Sequence, residues 1–110
     1  MKRKIDVWEY AKYFLAPLTG SGILLTGKAG GKVNPMTIGW GTLGVEWGVP
    51  IFTAFVRSSR FTHDVLEENP QFTVNAPWGE YDRKILGLCG TKSGRDTDKV
   101  ALCGLTLVEP

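Results

Sequence analysis

The chain has little of what most catalytic centres are built from. It carries one histidine, His63, and two cysteines, Cys89 and Cys103, in 110 residues. One histidine and two distant thiols cannot supply the four ligands of a closed zinc site. A Ser-His-Asp arrangement has no supporting context either, and His63 reads as a surface residue at a helix start. Two cysteines in an otherwise ordinary composition form no disulfide framework; they predict free, buried thiols and a reducing cytoplasm. No run approaches the ~18 apolar residues of a membrane span. The opening MKRK looks like a signal-peptide n-region, but Asp6, Glu9 and Lys12 interrupt the segment after it, so the apolar h-region is missing. The net charge is only +2, too small for a dedicated nucleic-acid binder with a strongly basic face. These absences predict a soluble cytoplasmic protein with neither a membrane nor a nucleic-acid partner.

Regular alternation of strands and helices is also missing, which argues against a parallel doubly wound sheet. What is present suits a small, mainly β domain over 1–110. Residues 6–14 predict a short helix, with Asp6 as cap and Glu9 completing a capping-box pattern. GILLTG and VNPMTIGW flank a Gly-rich turn and predict a hairpin. Val45 and Trp47 alternate with Glu46, and Gly48-Val49-Pro50 reads as a break before a strand over Ile51–Val56. A helix is expected next, over 64–69, with Thr62 as cap and Asn69-Pro70 as stop. QFTVNA predicts a strand over 71–76. Short helices are expected over 81–89 and 96–103, the second capped by Asp96 or Thr97. LTLVEP reads as the start of a further strand. The order fits a small antiparallel barrel with helices outside.

One motif is refused on physical grounds. Gly39-Trp40-Gly41-Thr42-Leu43-Gly44 matches the dinucleotide fingerprint G-x-G-x-x-G, and Asp64 lies beyond it. That fingerprint needs a helix opening inside the glycines to meet a pyrophosphate. VEWGVP comes next instead, without helical periodicity.

Two polar loops and one indole remain. Arg57-Ser58-Ser59-Arg60-Phe61-Thr62 brings guanidinium groups and hydroxyls to a helix N-terminus, a combination that suits a phosphate dianion. A capped helix with solvated arginines accounts for the same residues. Lys92-Ser93-Gly94-Arg95-Asp96-Thr97-Asp98-Lys99 is a second basic loop entering a helix, or a plain solvated turn. Trp40, between Gly39 and Gly41, either plugs the core or walls a flat ligand. Taken together, the three describe a pocket for a phosphorylated flat ring.

Three stretches carry a family resemblance: NPMTIGWGTLGVEWGVP, FVRSSRFTHDVLEENPQFTVN and CGTKSGRDTDKVALCGL. In order and spacing they resemble the flavin reductase-like, FMN-binding split-barrel family, close to its flavoredoxin branch, over roughly residues 22–107. The resemblance implies a Greek-key barrel with short flanking helices, a homodimer and non-covalent FMN. It implies that Asn34 and Thr37 hydrogen-bond the cofactor and that backbone groups near Ile38 and Gly39 meet the polar edge of the ring. Trp40 would lie beside the isoalloxazine. Arg57, Ser58, Arg60 and Thr62 would hold the phosphate, and Lys99 would reach the flavin or its phosphate. Ser93 and Arg95 are secondary candidates. No catalytic side chain is implied, because the flavin carries the redox chemistry. The electron donor would be NADH or NADPH, and the acceptor a small redox molecule or a protein. An FMN-binding electron carrier without reductase activity, and a truncated non-catalytic domain, are the alternatives. Family members are usually much longer, so the chain looks C-terminally truncated and its barrel incomplete.

Overall fold

The computed structural model describes residues 2–110. Helix α1 covers Val7–Leu15 and runs into a 3-10 turn over Ala16–Thr19. Asp6 caps α1 by accepting from the Trp8 amide, as its position predicts. Strands β1 (Ile23–Ala29) and β2 (Lys32–Ile38) form an antiparallel hairpin, and β5 (Phe72–Asn75) pairs with the other edge of β1. Strands β3 (Gly41–Glu46) and β4 (Val49–Ala54) form a separate two-stranded sheet. Helices α2 (Phe61–Glu68), α3 (Lys84–Thr91) and α4 (Lys99–Leu102) complete the described elements.

The hairpin turns follow from backbone sterics. Gly30 and Gly31 both take positive φ, 58° and 76°, the conformation a two-residue primed turn needs. The second hairpin corrects the expected break at Gly48-Val49-Pro50. Its turn is Trp47-Gly48, with φ of 54° and 72°, and Pro50 lies within β4 opposite Val45. A two-stranded sheet has only edge strands, so a proline without an N–H is tolerated there.

The core sits on one face of the three-stranded sheet. Ile23, Leu25, Met36 and Ile38 are buried there, with Phe14, Leu18, Phe52, Val74 and others packed against them. Ile23 and Leu25 alternate along β1, as the period of two requires. Helix α2 lies across β1 where the chain is thinnest: a Cβ on Gly27 would sit 3.1 Å from Val65 Cγ1. Helix α3 packs on β2, and the Thr37 hydroxyl donates to the Leu86 carbonyl at 2.6 Å.

The mainly β class holds, as five strands in two antiparallel sheets with short helices. The described strands do not close into a barrel, an arrangement compatible with an incomplete split barrel. Three local expectations differ. Thr62 is not a cap, because α2 begins at Phe61 with Arg60 in the capping position. The last helix is one turn long and is capped by Asp98, whose carboxylate accepts from the Ala101 amide. Residues 105–110 form no strand.

Candidate functional site

Two adjoining cavities lie where β2, α2 and the loop between α3 and α4 meet. The first, about 260 Å³, is lined by both polar loops, 59–62 and 90–95, together with Asn34 and Lys99. The second, about 200 Å³, is lined by Met36, Thr37, Ile38, Gly39, Trp40, Phe55, Arg57 and Arg60. Arg60 borders both.

The first cavity has a cationic, hydrogen-bonded floor. Lys99 is only 2% exposed. Its ammonium donates to the carbonyls of Pro35 and Cys89, each at 3.0 Å. Both carbonyls are available for a structural reason. Pro35 lies on β2, the edge strand of its sheet. Cys89 lies in the last turn of α3, where carbonyls lack intrahelical donors. Arg60 Nη2 also reaches the Cys89 carbonyl, at 3.3 Å, so the negative end of the α3 dipole anchors two cations. Burial, and then the neighbouring Arg60 charge, push the Lys99 pKa down. Burial, and then Arg57, push Arg60 down. An ammonium has three donors, and two carbonyls leave the third for the cavity that Lys99 lines. The first amides of α2, at Phe61 and Thr62, likewise have no intrahelical acceptor. The buried Lys99 ammonium and the half-buried Arg60 guanidinium thus lie together beside the first amides of α2, a combination of donors and positive charge that suits an anion.

Hydrogen bonds tie this floor to the surrounding elements. Asn34 Nδ2 donates to Thr62 Oγ1 at 2.8 Å, with both residues buried. Arg95 ties the two loops together, donating to Asp64 and to the Ser59 carbonyl. Lys32 donates to the Gly94 carbonyl. Gly94 is obligatory: a Cβ there would collide with Asn34 Oδ1 and lie 2.6 Å from the Phe61 ring.

The second cavity has aromatic side chains, Trp40 and Phe55, in its wall. Trp40 is 55% exposed, so it is not a core plug. The Arg57 guanidinium lies 4.8 Å from its ring centroid, within cation–π range. Trp40 and Phe55 therefore offer aromatic surface beside the Ile38–Gly39 backbone. A Cβ on Gly39 would meet only the Leu18 carbonyl, at 3.7 Å, so the backbone there is uncrowded.

The structure thus gathers nine of the ten expected residues around two cavities that share Arg60. Asn34, Arg60, Thr62 and Lys99 line the first; Thr37, Ile38, Gly39, Trp40, Arg57 and again Arg60 line the second. Ser58 lies outside both and is exposed. Arg57 belongs to the aromatic cavity rather than to the anionic one, because its guanidinium stacks on Trp40. Ser93 and Arg95 line the first cavity, with Arg95 committed to Asp64. Sequence reasoning missed Met36, Phe55 and Phe61, whose apolar side chains carry no signal that separates a cavity wall from a core. The refused glycine fingerprint stays refused, since strand β3 occupies Gly41–Glu46 where a helix would be required. His63 is half-buried, 3.8 Å from Glu67. No metal-binding cluster occurs among the described residues.

A family model, the flavin reductase like domain, matches residues 18–109. The chain belongs to that family. The match spans both loops, Trp40 and every residue of the two cavities. Comparison with curated proteins and with solved structures gave no match. Family membership brings a flavin-related function. No helix among the described residues is long and apolar enough to cross a membrane.

Proposed function

We propose that the chain binds FMN across the two cavities and works as a flavin reductase or flavoredoxin-type electron-transfer protein. The observation that carries this reading is Arg60, which borders both an anion-receptive cavity and an aromatic one. A ligand charged at one end and flat at the other fits that pairing, and FMN is such a ligand. The two volumes together fall within the roughly 300–1,000 Å³ of small-molecule sites.

In this reading Lys99, Arg60 and the first amides of α2 hold the phosphate. Asn34 and Thr62 position the floor through their mutual hydrogen bond. Trp40 packs beside the ring, and the backbone at Ile38–Gly39 meets its polar edge. Thr37 donates its own proton to Leu86, so its hydroxyl oxygen can only accept from the cofactor. FMN held there would supply the redox chemistry, with NADH or NADPH as electron donor and a small molecule or a protein as acceptor. The chain's part is to bind, orient and partly desolvate the ring, with no acid or base required. Exposed Val45, Val49 and Ile51 on the second hairpin support assembly as a homodimer. Two free thiols support a cytoplasmic setting.

The test is anaerobic reduction of the FMN-loaded protein. NADH or NADPH should bleach the flavin absorbance without any added protein. Failure of both nucleotides would overturn the reductase reading in favour of an FMN-binding electron carrier.

A further inference from the structure

The two cysteines line neither cavity, yet the fold brings their thiols together. Cys89 Sγ, in α3, and Cys103 Sγ, just beyond α4, are 3.8 Å apart. Both thiols are free. Thr91, Lys92, Ser93, Gly94, Arg95 and Lys99, all cavity-lining, lie in the segment between them. The backbone at both ends also holds the cationic floor. The Cys89 carbonyl accepts from Arg60 and Lys99, and the Cys103 amide donates to the Lys99 carbonyl at 3.0 Å.

We propose that Cys89 and Cys103 form a reversible redox pair whose disulfide closes the 89–103 segment into a ring and tightens the anion-binding cavity. The inference rests on the FMN reading for its ligand, but not for the pair itself. The sulfurs need to approach by less than 2 Å, since a disulfide spans about 2 Å. The oxidant is a low-molecular-weight disulfide. Cys103, the more exposed of the two, attacks first as its thiolate; a mixed disulfide forms and one small thiol leaves. Cys89 then gives up its proton and attacks the Cys103 sulfur, releasing the second small thiol. Overall, two protein thiols and one small disulfide become one protein disulfide and two small thiols. Burial, reinforced by Cys103, raises the Cys89 pKa to about 11, which suits it to the second step rather than the first. Lys99 opposes that rise and favours the Cys89 thiolate.

Closing the ring restricts the loop before any ligand arrives, and such preorganisation strengthens binding. Coupling is reciprocal, so bound FMN should also make the disulfide harder to reduce.

The full chain is treated with dithiothreitol or with glutathione disulfide and followed by thiol titration, intact mass, thermal melting and FMN titration. Oxidation should remove both thiols with the loss of two hydrogens and no mass of a second chain. The Tm should rise on the order of 10 °C, as for a ring of about 15 residues in a small domain. FMN should bind about threefold or more tightly in the oxidised form. Cys103→Ser should abolish every difference between the two treatments, and Cys89→Ala serves if that variant does not fold. Thiols that resist oxidation, or a disulfide between two chains, would overturn the pair. A disulfide formed without a change in FMN affinity would overturn the coupling. No FMN binding in either form would refute the proposed function and the coupling, while mass and melting would still decide the pair.

Discussion

Arg60 is the residue on which the two cavities depend. Its guanidinium is half-buried, touches the Cys89 carbonyl and borders both spaces. Arg60→Ala should weaken FMN on the order of tenfold or more, as expected for a lost charge-assisted contact. Riboflavin has no phosphate and should lose little. Parallel titrations of the two flavins check this; equal losses would remove Arg60 from the phosphate. Cys89 gives a prediction in pH. Desolvation raises its thiol from an ordinary 9.0 to about 11, and the nearby Cys103 adds to the shift. Between those values the folded chain holds a proton that the unfolded chain has released. Stability from this group is therefore complete below about pH 9 and is lost as pH rises through about 11. Lys99, with its pKa pushed down, acts in the opposite direction on the approach to 10.5. Tm against pH is compared for the wild type and Cys89→Ala. Because Cys89 holds the Lys99 pKa up, its removal lowers the lysine further and enlarges that opposing contribution, so both changes flatten the alkaline decline. The variant should show the shallower alkaline decline, and identical slopes would contradict the assignment.

At the scale of elements, the second hairpin contains a local conflict. Trp47 has φ of 54° and is 94% exposed, so it bears left-handed strain with almost no burial in return. A left-handed non-glycine residue costs roughly 1–2 kcal/mol, less for Asn. Trp47→Asn should therefore stabilise the fold by about 0.5–1 kcal/mol, measured by denaturant unfolding. A loss of stability would show that the indole makes contacts worth more than the strain. The same residue shows why the sequence misplaces this turn. Gly48-Val49-Pro50 carries strong turn chemistry, whereas Trp is a poor left-handed residue, so local preference points one position too late. At Gly30-Gly31 preference and geometry agree, and the first hairpin is legible. So is α1, through Asp6. Thr62 is legible as important but not in its role. Its hydroxyl is claimed by Asn34, 28 positions away, and no local pattern encodes that distance.

At the scale of the whole molecule, the site is assembled from four separate stretches. Residues 34–40 line both cavities, residues 55–62 bring Phe55, Arg57 and Arg60, the 90–95 loop closes the first cavity, and α4 provides the buried ammonium of its floor. Each polar loop alone fits a solvated turn, so the residues by themselves leave both readings open. Their convergence becomes readable through the order and spacing of three motifs, and the family match over 18–109 agrees with them. The partition between the cavities is not legible. Stacking on Trp40 takes Arg57 out of the anionic end, and that is a contact of tertiary packing.

The most direct measurement is FMN titration into the purified chain, followed by dialysis and an absorbance spectrum, with riboflavin in parallel. Tightly held FMN with a perturbed flavin spectrum and quenched fluorescence, and distinctly weaker riboflavin, is the predicted result. FMN that washes out with the spectrum of free flavin, or riboflavin retained equally well, would contradict a site built to grip both the charged and the flat end of the cofactor.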